Sequence, residues 1–226
     1  MQVELLYHTQ DVERSVATAA RLCYASVGAT ELMETMPDDK VRSVLSQIMK
    51  GGHFSTLEHV SYTFAVDGVS RALTHQLVRH RVASFNQQSQ RYVKFNNGFE
   101  HVEPPSVAEN EEAHAIFQEA MNNAEVAYKK LVDLGITKED ARFVLPNAAE
   151  TKIVITMNAR ELLHFFELRC CKRAQWEIRE LAFKMLELVK PTAPYIFMDA
   201  GAPCVHGSCK EGTMTCGNPY EKVKRD

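Results

Sequence analysis

A strict alternation of side chains between residues 59 and 67 constrains the fold of this chain more than any other feature of its sequence. Large apolar residues alternate there with small or polar ones: Val60, Tyr62, Phe64 and Val66 against Ser61, Thr63 and Ala65. Successive side chains of a β-strand point to opposite faces, so a period of two predicts a strand with one buried face. The fold therefore contains a sheet that has one side against a core.

Two further strand patterns and several helical patterns accompany this strand. Strands are predicted at 3–7 and 151–157, and helices at 11–24, 37–50, 70–81, 111–134, 159–171 and 174–189, with a short helix from residue 137 that carries Arg142. Asp11, Ser70 and Asn158 are the predicted N-caps, and Glu161 is expected to reach back to Asn158 in a capping box. Residues 82–92 show neither period, which predicts an ordered loop.

The bulk composition indicates the class of protein. With 226 residues and 45% hydrophobic content, the chain can bury a core, and these patterns predict an α/β protein of the α+β type. We expect one domain over residues 1–226, with 201–226 as a surface tail. The net charge of −3 argues against a general nucleic-acid or membrane-surface binder. No signal-peptide pattern and no membrane span are visible, so we expect a cytoplasmic protein.

Positive charge is nevertheless concentrated in one part of the chain. No aspartate or glutamate occurs at residues 68–99, whereas that segment holds Arg71, Arg79, Arg81, Arg91 and Lys94. The guanidinium group is a planar fork that grips phosphate oxygens in pairs, and Ser, Asn and Gln side chains supply neutral hydrogen bonds. A pocket for a small anionic ligand is one interpretation, and a solvated basic face is the other.

The order of residues distinguishes these two interpretations. Arg79-His80-Arg81, then seven residues, then Ser89 and Arg91-Tyr92 is similar to the signature of the flavin-dependent thymidylate synthases. The resemblance continues through His53-Phe54-Ser55, the segment 142–146, Asn158-Ala159-Arg160, His164, Arg169 and the segment 174–177. It covers about residues 50 to 180. It implies the fold of that family, a single domain with a mainly antiparallel sheet flanked by helices.

Membership of this family would imply the reductive methylation of deoxyuridine monophosphate (dUMP) to dTMP. FAD would be the cofactor, 5,10-methylenetetrahydrofolate the carbon donor and NADPH the reductant. Reduced flavin would deliver hydride to C6 of the uracil ring, while the protein supplies positioning and charge. The resemblance also implies a homotetramer with active sites shared between subunits, no nucleic-acid partner and no membrane.

The resemblance assigns cofactor contacts to named residues. Arg79 and Arg81 would face the pyrophosphate of FAD, with His80 between them. The other implied FAD contacts are Ser55, Gln87, Asn158, Ala159, Arg160 and His164. Asn158, Ala159 and Arg160 would reach in from another subunit. On the residues alone, His164 indicates a packed core histidine, and a single arginine at a helix end would complement the helix dipole.

The resemblance also assigns the nucleotide contacts. They are His53, Gln76, Arg79, Gln87, Gln88, Ser89, Gln90, Arg91, Arg142 and Arg169, and His53 would line the flavin face where nicotinamide or folate stacks. Arg169 is the implied catalytic residue, because a cation at the pyrimidine would favour ionisation at N3 and polarise the ring toward attack at C6. A buried salt bridge is its alternative role. Ser89 is a plainer phosphate ligand than a nucleophile. The family commonly has glutamate where this chain has Gln87.

Two other functions stay open on the residues alone. A single-stranded nucleic-acid-binding module would use the arginines with Phe85, Tyr92 and Phe95 as stacking platforms. A non-catalytic nucleotide sensor would keep the phosphate contacts without the flavin.

The cysteines suggest little chemistry of their own. Six cysteines at irregular spacing do not form a secreted disulfide framework. Cys204, His206, Cys209 and Cys216 lack the close pair typical of zinc sites, so no metal is expected. Cys170 and Cys171 adjoin several cations and are the candidates for a thiol of lowered pKa.

Overall fold

The computed structural model describes residues 1–92, 99–205 and 207–221. Lys94, Phe95 and His206, which entered the predictions above, lie outside these ranges. The described residues form a four-stranded antiparallel sheet together with many helices, which confirms the predicted α+β class. The chain divides into two compact units. The first unit comprises Met1–Gln2, Val66–Arg79 and Asn86–Ile153, and the second comprises Val3–Ala65, His80–Phe85 and Val154–Asp226.

The strands contribute residues to both units. They are β1 (Gln2–His8), β2 (Ser61–Ser70), β3 (Ala83–Gln87) and β4 (Glu150–Asn158), and their order in the sheet is β1-β2-β4-β3. The predicted buried face of β2 is confirmed, since Tyr62, Phe64 and Val66 are fully buried. Thr63 on the other face is buried as well, and its hydroxyl lies 2.8 Å from that of Thr156.

The prediction of a loop at residues 82–92 was wrong for its first half. Residues 83–87 form β3, in which Ala83, Phe85 and Gln87 are half-buried and Ser84 and Asn86 are exposed. The burial does alternate with a period of two. The residue types hide it, because an alanine and a glutamine occupy the inward positions.

The first unit is built around α6. Its helices are α4 (Arg71–Leu77), α5 (Pro105–Ala108), α6 (Glu111–Asp133) and α7 (Lys138–Ala141), followed by a 3₁₀-helix at Arg142–Val144. Ser70 caps α4 as predicted, with its hydroxyl accepting from the backbone N–H of Leu73 at 3.0 Å. The helix ends at Leu77 rather than residue 81, which releases residues 78–82 to lead into β3. Phe99, Met121 and Ala149 form the buried cluster of this unit.

The second unit contains the remaining helices. They are α1 (Val12–Leu22), α2 (Ala29–Thr35), α3 (Asp38–Gly51), α8 (Ala159–Arg169), α9 (Trp176–Val189) and α10 (Pro194–Phe197), with 3₁₀-helices at Phe54–His59, Lys190–Thr192, Pro203–Val205 and Gly212–Met214. The sequence did not predict α2. Asp11 precedes α1 but makes no side-chain cap, because its backbone is left-handed at φ 45°. Phe165, Phe166 and Phe197 form the aromatic centre of this unit.

Within the described ranges, no helix combines the length and the apolar character needed to cross a bilayer.

Candidate active site

A buried histidine of the second unit links a carboxylate to an arginine. His80 is 4% exposed, and its Nδ1 lies 2.9 Å from Oε1 of Glu161. On the other side of the ring, Nε of Arg169 donates to Nε2 of His80 at 3.0 Å. The ring also packs edge-on against Phe165, with the centroids 5.0 Å apart. This Glu161–His80–Arg169 array joins two predicted site residues to one that was not predicted.

The hydrogen bonds of His80 indicate a neutral ring. Burial lowers the pKa of His80, and the charges of Arg169 and His164 add to that shift, whereas the hydrogen bond with Glu161 and the charge of Glu161 oppose it. Burial also lowers the pKa of Arg169, although a guanidinium group in a protein stays protonated. A neutral imidazole has one donor nitrogen and one acceptor nitrogen. Since Arg169 only donates, Nε2 is the acceptor and Nδ1–H donates to Glu161.

Glu161 was predicted to close a capping box, and that prediction was wrong in one half. Asn158 does cap α8, because its Oδ1 accepts from the backbone N–H of Glu161 at 2.9 Å. The Glu161 side chain turns instead into the core, where it is 8% exposed and bonded to His80. A buried carboxylate needs a strong donor more than a solvent-facing helix end needs a second cap.

The two arginines that flank His80 in the sequence are both exposed. The backbone N–H of Arg79 donates to the carbonyl of Gln76 at 3.3 Å, and Arg81 starts the segment that leads into β3. The order Arg-His-Arg thus places one side chain in the core and leaves two cations at the surface. Gln76, also a predicted site residue, is half-buried in the last turn of α4.

An open groove runs along α8 in the second unit. Its volume is about 590 Å³, within the usual range for ligand sites. The lining includes Phe54, Glu58, Val82, Arg160, His164 and Glu167. We call this surface the α8 groove. Arg160 and His164 were both predicted site residues, and both are exposed. The core position that the residues alone indicated for His164 is therefore wrong.

The remaining predicted cofactor residues lie beside this helix or before it. Asn158 lines the α8 groove, and Arg160 is ion-paired with Glu58. Ala159 is buried, and its backbone N–H donates to the carbonyl of Val60 at 3.0 Å, which fixes the start of α8 to the chain just before β2. His53 and Ser55 are exposed at the start of the Phe54–His59 3₁₀-helix, outside the described lining of the groove.

Gln87 occupies an interior position of the first unit. Its Nε2 donates to the hydroxyl groups of Thr74 and Thr151, both at 3.3 Å. Both threonines are buried. A hydroxyl can accept as well as donate, so the same pair could serve the glutamate that the family commonly has here. Gln87 thus makes hydrogen bonds to both threonines without carrying a charge.

The predicted phosphate segment follows directly. The backbone N–H of Gln88 donates to the carbonyl of Lys152 at 2.9 Å, and Gln90 is half-buried. Ser89 Oγ accepts from the backbone N–H of Arg91 at 3.2 Å. In the described structure this Oγ partner is a backbone amide rather than a base, which agrees with a phosphate-binding hydroxyl and not with a nucleophile.

Several arginines surround this segment within the first unit. Arg91 makes a two-pronged contact with Glu139, with Nε–Oε1 and Nη2–Oε2 each at 3.0 Å. Arg142 Nε donates to the backbone carbonyl of Glu139 at 3.1 Å, and Arg71 Nη2 donates to that of Gln88 at 2.7 Å. Burial lowers the pKa of Arg71, and the charge of Arg142 adds to this. An anionic ligand would offset this excess of positive charge.

The proposed platforms for stacked bases are only partly available. Tyr92 is 74% exposed, with the guanidinium of Arg91 lying 5.6 Å from its ring centroid. Phe85 is half-buried within β3. Phe95 lies outside the described residues. The described part of this segment therefore does not present the row of exposed rings that a single-stranded nucleic acid requires.

The prediction of a thiol of lowered pKa was wrong for Cys170. Cys170 is fully buried, and burial raises its pKa to about 12 despite the charge of Lys190. Cys171 lines a small cavity together with Cys204, Cys209 and Cys216. Across the described ranges, no three His, Cys, Asp or Glu side chains are grouped so that they could hold a metal ion. His206 lies outside these ranges.

The fold and this geometry define an α+β protein with clustered arginines for an anionic ligand and one arginine oriented by a buried histidine. Known proteins identify the family. The chain matches the family model described as "Thymidylate synthase complementing protein" over residues 4–195. It is 60% identical over 226 residues to the flavin-dependent thymidylate synthase of Geobacter sulfurreducens, covering 100% of this chain and 97% of that protein. The chain belongs to the family of flavin-dependent thymidylate synthases.

Two further comparisons agree with this assignment. The flavin-dependent thymidylate synthase of Clostridium tetani is 48% identical over 240 residues, with 99% of this chain and 96% of that protein covered. Among solved structures, a UMP/dUMP methylase, PolB from Streptomyces cacaoi bound with 5-Br dUMP, superposes with a TM-score of 0.76 at 28% identity. That match covers 87% of this chain and 93% of that one.

Sequence reasoning missed the acids that contact the predicted site residues. Glu58, Glu139 and Glu161 each contact a predicted site residue, yet none lies within the acid-free segment that drew attention. For Glu161 a signal existed, since a glutamate followed by Leu162 and then by Phe165 and Phe166 starts an apolar helix face. For Glu58 and Glu139 the sequence offers no comparable signal.

The neutral state of His80 predicts a pH dependence of folding. Because its pKa is lower in the folded protein, the unfolded chain binds more protons below the ordinary histidine pKa of about 6.5, and stability falls as the pH drops through that value. Urea unfolding at pH 7.5 and 5.5 should show a loss for the wild type that exceeds the loss for His80→Asn by about 1 kcal/mol. The exposed His75 gives the matched control His75→Asn. An equal pH dependence of wild type and His80→Asn would contradict the neutral assignment.

Burial of Cys170 predicts that thymidylate formation does not use this thiol as a nucleophile. At a pKa of about 12, roughly one thiol in 10⁵ is ionised at pH 7. Cys170→Ala, which suits an apolar site, should therefore retain most of its turnover. Cys171→Ser and the double variant should do so as well, because hydride from flavin takes the place of a thiolate in the proposed reaction. Flavin content and thermal melting would check that each variant folds. Loss of turnover in a folded single variant would show that the thiol is required.

Proposed function

We propose that this chain is a thymidylate-forming methyltransferase that converts dUMP to dTMP with a tightly bound FAD. 5,10-Methylenetetrahydrofolate would be the carbon donor and NADPH the reductant. The observation that carries the proposal is the Glu161–His80–Arg169 array, found in a chain 60% identical over its full length to a flavin-dependent thymidylate synthase. The same identity favours the enzyme over a nucleic-acid-binding module or a nucleotide sensor.

The residues present fit an FAD site. Arg79 and Arg81 are exposed cations on either side of His80 in the sequence, and Arg160 is an exposed cation that lines the α8 groove. Such guanidinium groups are suitable donors for a pyrophosphate. Glu58 and Glu167 in the same groove can accept hydrogen bonds from hydroxyl or amino groups. When bound, FAD supplies the hydride. A phosphate group that engages Arg160 has to compete with Glu58.

The residues for the nucleotide divide the work between phosphate and ring. Arg91 provides the paired donors for phosphate oxygens. Ser89 Oγ accepts from a backbone N–H, which leaves its own O–H as a donor toward the same phosphate. Gln88, Gln90, Gln76 and Arg142 are proposed to complete the contacts. Arg169 would lie at the pyrimidine, where its charge stabilises negative charge at N3 and so favours addition at C6.

The assembly and location follow from the family and belong to the same proposal. We propose a homotetramer in which Asn158, Ala159 and Arg160 contribute to the site of a neighbouring subunit. The exposure of Arg160 in the single chain supports this role. The exposed His53 and Ser55 would then face the cofactor within the assembly. The enzyme would act in the cytoplasm, where its nucleotide and folate substrates are used.

The cofactor assignment predicts that the freshly purified protein is yellow. Denaturation should release one flavin per chain, and chromatography should identify it as FAD rather than FMN. Light scattering on the same sample should give the mass of a tetramer. A protein that is colourless and takes up no added FAD would contradict the cofactor assignment, and a monomer would contradict the shared site.

The contact between Arg91 and Glu139 predicts opposite effects on nucleotide binding. Arg91→Ala should weaken dUMP binding by about 1.5–3 kcal/mol, the scale of a charge-assisted hydrogen bond. Glu139→Gln should tighten it several-fold, because the phosphate no longer has to displace a carboxylate from the guanidinium. Calorimetry on the holoenzyme measures both.

Arg21, half-buried in the last turn of α1, provides a matched arginine control. Arg21→Ala should bind dUMP like the wild type. Flavin content should be normal in all three variants. Unchanged affinity in Arg91→Ala would assign Arg91 a purely structural role.

A further inference from the structure

Glu161 is a buried carboxylate to which neither the sequence nor the family resemblance gave a role in the site. It lies in the first turn of α8, held there because its backbone N–H donates to the Asn158 cap at 2.9 Å. Its side chain is 10% exposed and bonds to His80 Nδ1. A carboxylate buried to this extent needs a partner that donates, and an ionised carboxylate can only accept.

This acceptor decides which nitrogen of His80 carries the proton. With Nδ1–H directed at Glu161, Nε2 of the neutral ring has its lone pair available, and this lone pair receives Nε–H of Arg169 at 3.0 Å. In the opposite tautomer, Nε2–H would face the N–H donor of Arg169, and the lone pair of Nδ1 would face the carboxylate of Glu161. A protonated ring would also set Nε2–H against Arg169. The two partners therefore require the same tautomer.

The ring itself has little freedom to move. His80 is 4% exposed, packs edge-on against Phe165, and lies 5.8 Å from the ring of His164. A rigid imidazole whose Nε2 accepts from Nε–H of Arg169 fixes both the position of that guanidinium nitrogen and the plane in which the other nitrogens of Arg169 lie. Orientation of a charged donor within a fraction of an ångström is what an interaction formed mainly in the transition state depends on.

We propose that Glu161 is a positioning residue for thymidylate formation: it fixes the His80 tautomer, and His80 in turn orients Arg169 toward the pyrimidine. The inference rests on the proposed function, in which Arg169 acts at the ring. Glu161 does not touch the substrate in this scheme. Its carboxylate acts through one imidazole.

Glu161→Gln is the informative change because an amide has nearly the shape of a carboxylate. Unlike an ionised carboxylate, which can only accept hydrogen bonds, the amide can also donate them. The amide can also present its NH₂ group to Nδ1, which favours the tautomer that opposes Arg169. We expect kcat to fall at least tenfold with a much smaller change in KM for dUMP, whereas a phosphate residue such as Arg91 should act mainly on KM. Glu180→Gln, which removes an exposed carboxylate paired with Lys184 on α9, is the matched control and should behave as the wild type.

A double-mutant cycle separates positioning from general damage. If Glu161 acts through Arg169, then Glu161→Gln should cost little further turnover in an Arg169→Lys background. Equal fold-losses in the two backgrounds would overturn the proposal. Full turnover of Arg169→Lys itself would instead refute the proposed role of Arg169 and leave the tautomer question to the spectrum described next.

The tautomer of His80 can be determined by NMR without a measurement of turnover. In the ¹⁵N spectrum of the histidine-labelled holoenzyme at pH 7.5, His80, identified by its absence from His80→Asn, should appear as the neutral Nδ1–H form. Glu161→Gln should shift it toward the Nε2–H form. A wild-type His80 that is doubly protonated, or protonated at Nε2, would overturn the proposal even if every Glu161 variant failed to fold.

Discussion

The structure of the candidate site depends on a neutral imidazole held between a carboxylate and a guanidinium. His80 follows the turn after α4, while Glu161 and Arg169 lie at the two ends of α8. The hydrogen bonds of this one ring therefore attach the segment that leads into β3 to both ends of α8. Burying an acid and a base in this way costs desolvation free energy, and it is stable only because each polar atom of the ring has a partner.

Away from that ring, the predicted site cations are held by acids of the same chain. Glu139 accepts two hydrogen bonds from the guanidinium of Arg91, and Glu58 is ion-paired with Arg160. These pairs are about half exposed, so water screens them and each contributes little to stability. Their weakness suits a binding site, because a phosphate can replace a carboxylate on a guanidinium with little loss. The Glu161–His80–Arg169 array differs in this respect, because its carboxylate and imidazole are buried and Arg169 is half-buried. In our proposal it orients a charge and does not exchange partners.

The parts of the fold that the sequence predicted are those decided by local patterns. The period of two in β2 and the caps Ser70 and Asn158 are set by residues within a few positions of one another. The errors arose where distant partners decided the outcome. β3 was missed because its inward residues include Gln87, which is satisfied by Thr74 and Thr151 from elsewhere in the chain. The direction of Glu161 was missed because its partner is 81 residues away. The predicted site residues themselves came from the order of residues in a motif, which periodicity alone would not have supplied.

Helical geometry explains how one short segment serves two purposes at once. Residues at spacings of three, four or seven share a face of a helix, while neighbours in sequence point about 100° apart. On α8, Arg160, His164 and Glu167 therefore lie together along the α8 groove. One position further on, Glu161, Phe165 and Arg169 share the face that meets His80. The cap at Asn158 fixes the rotation of the helix at its first turn. The same hydrogen bond that begins the helix thus decides which residues line the groove and which fix the buried histidine, and Glu161 does both.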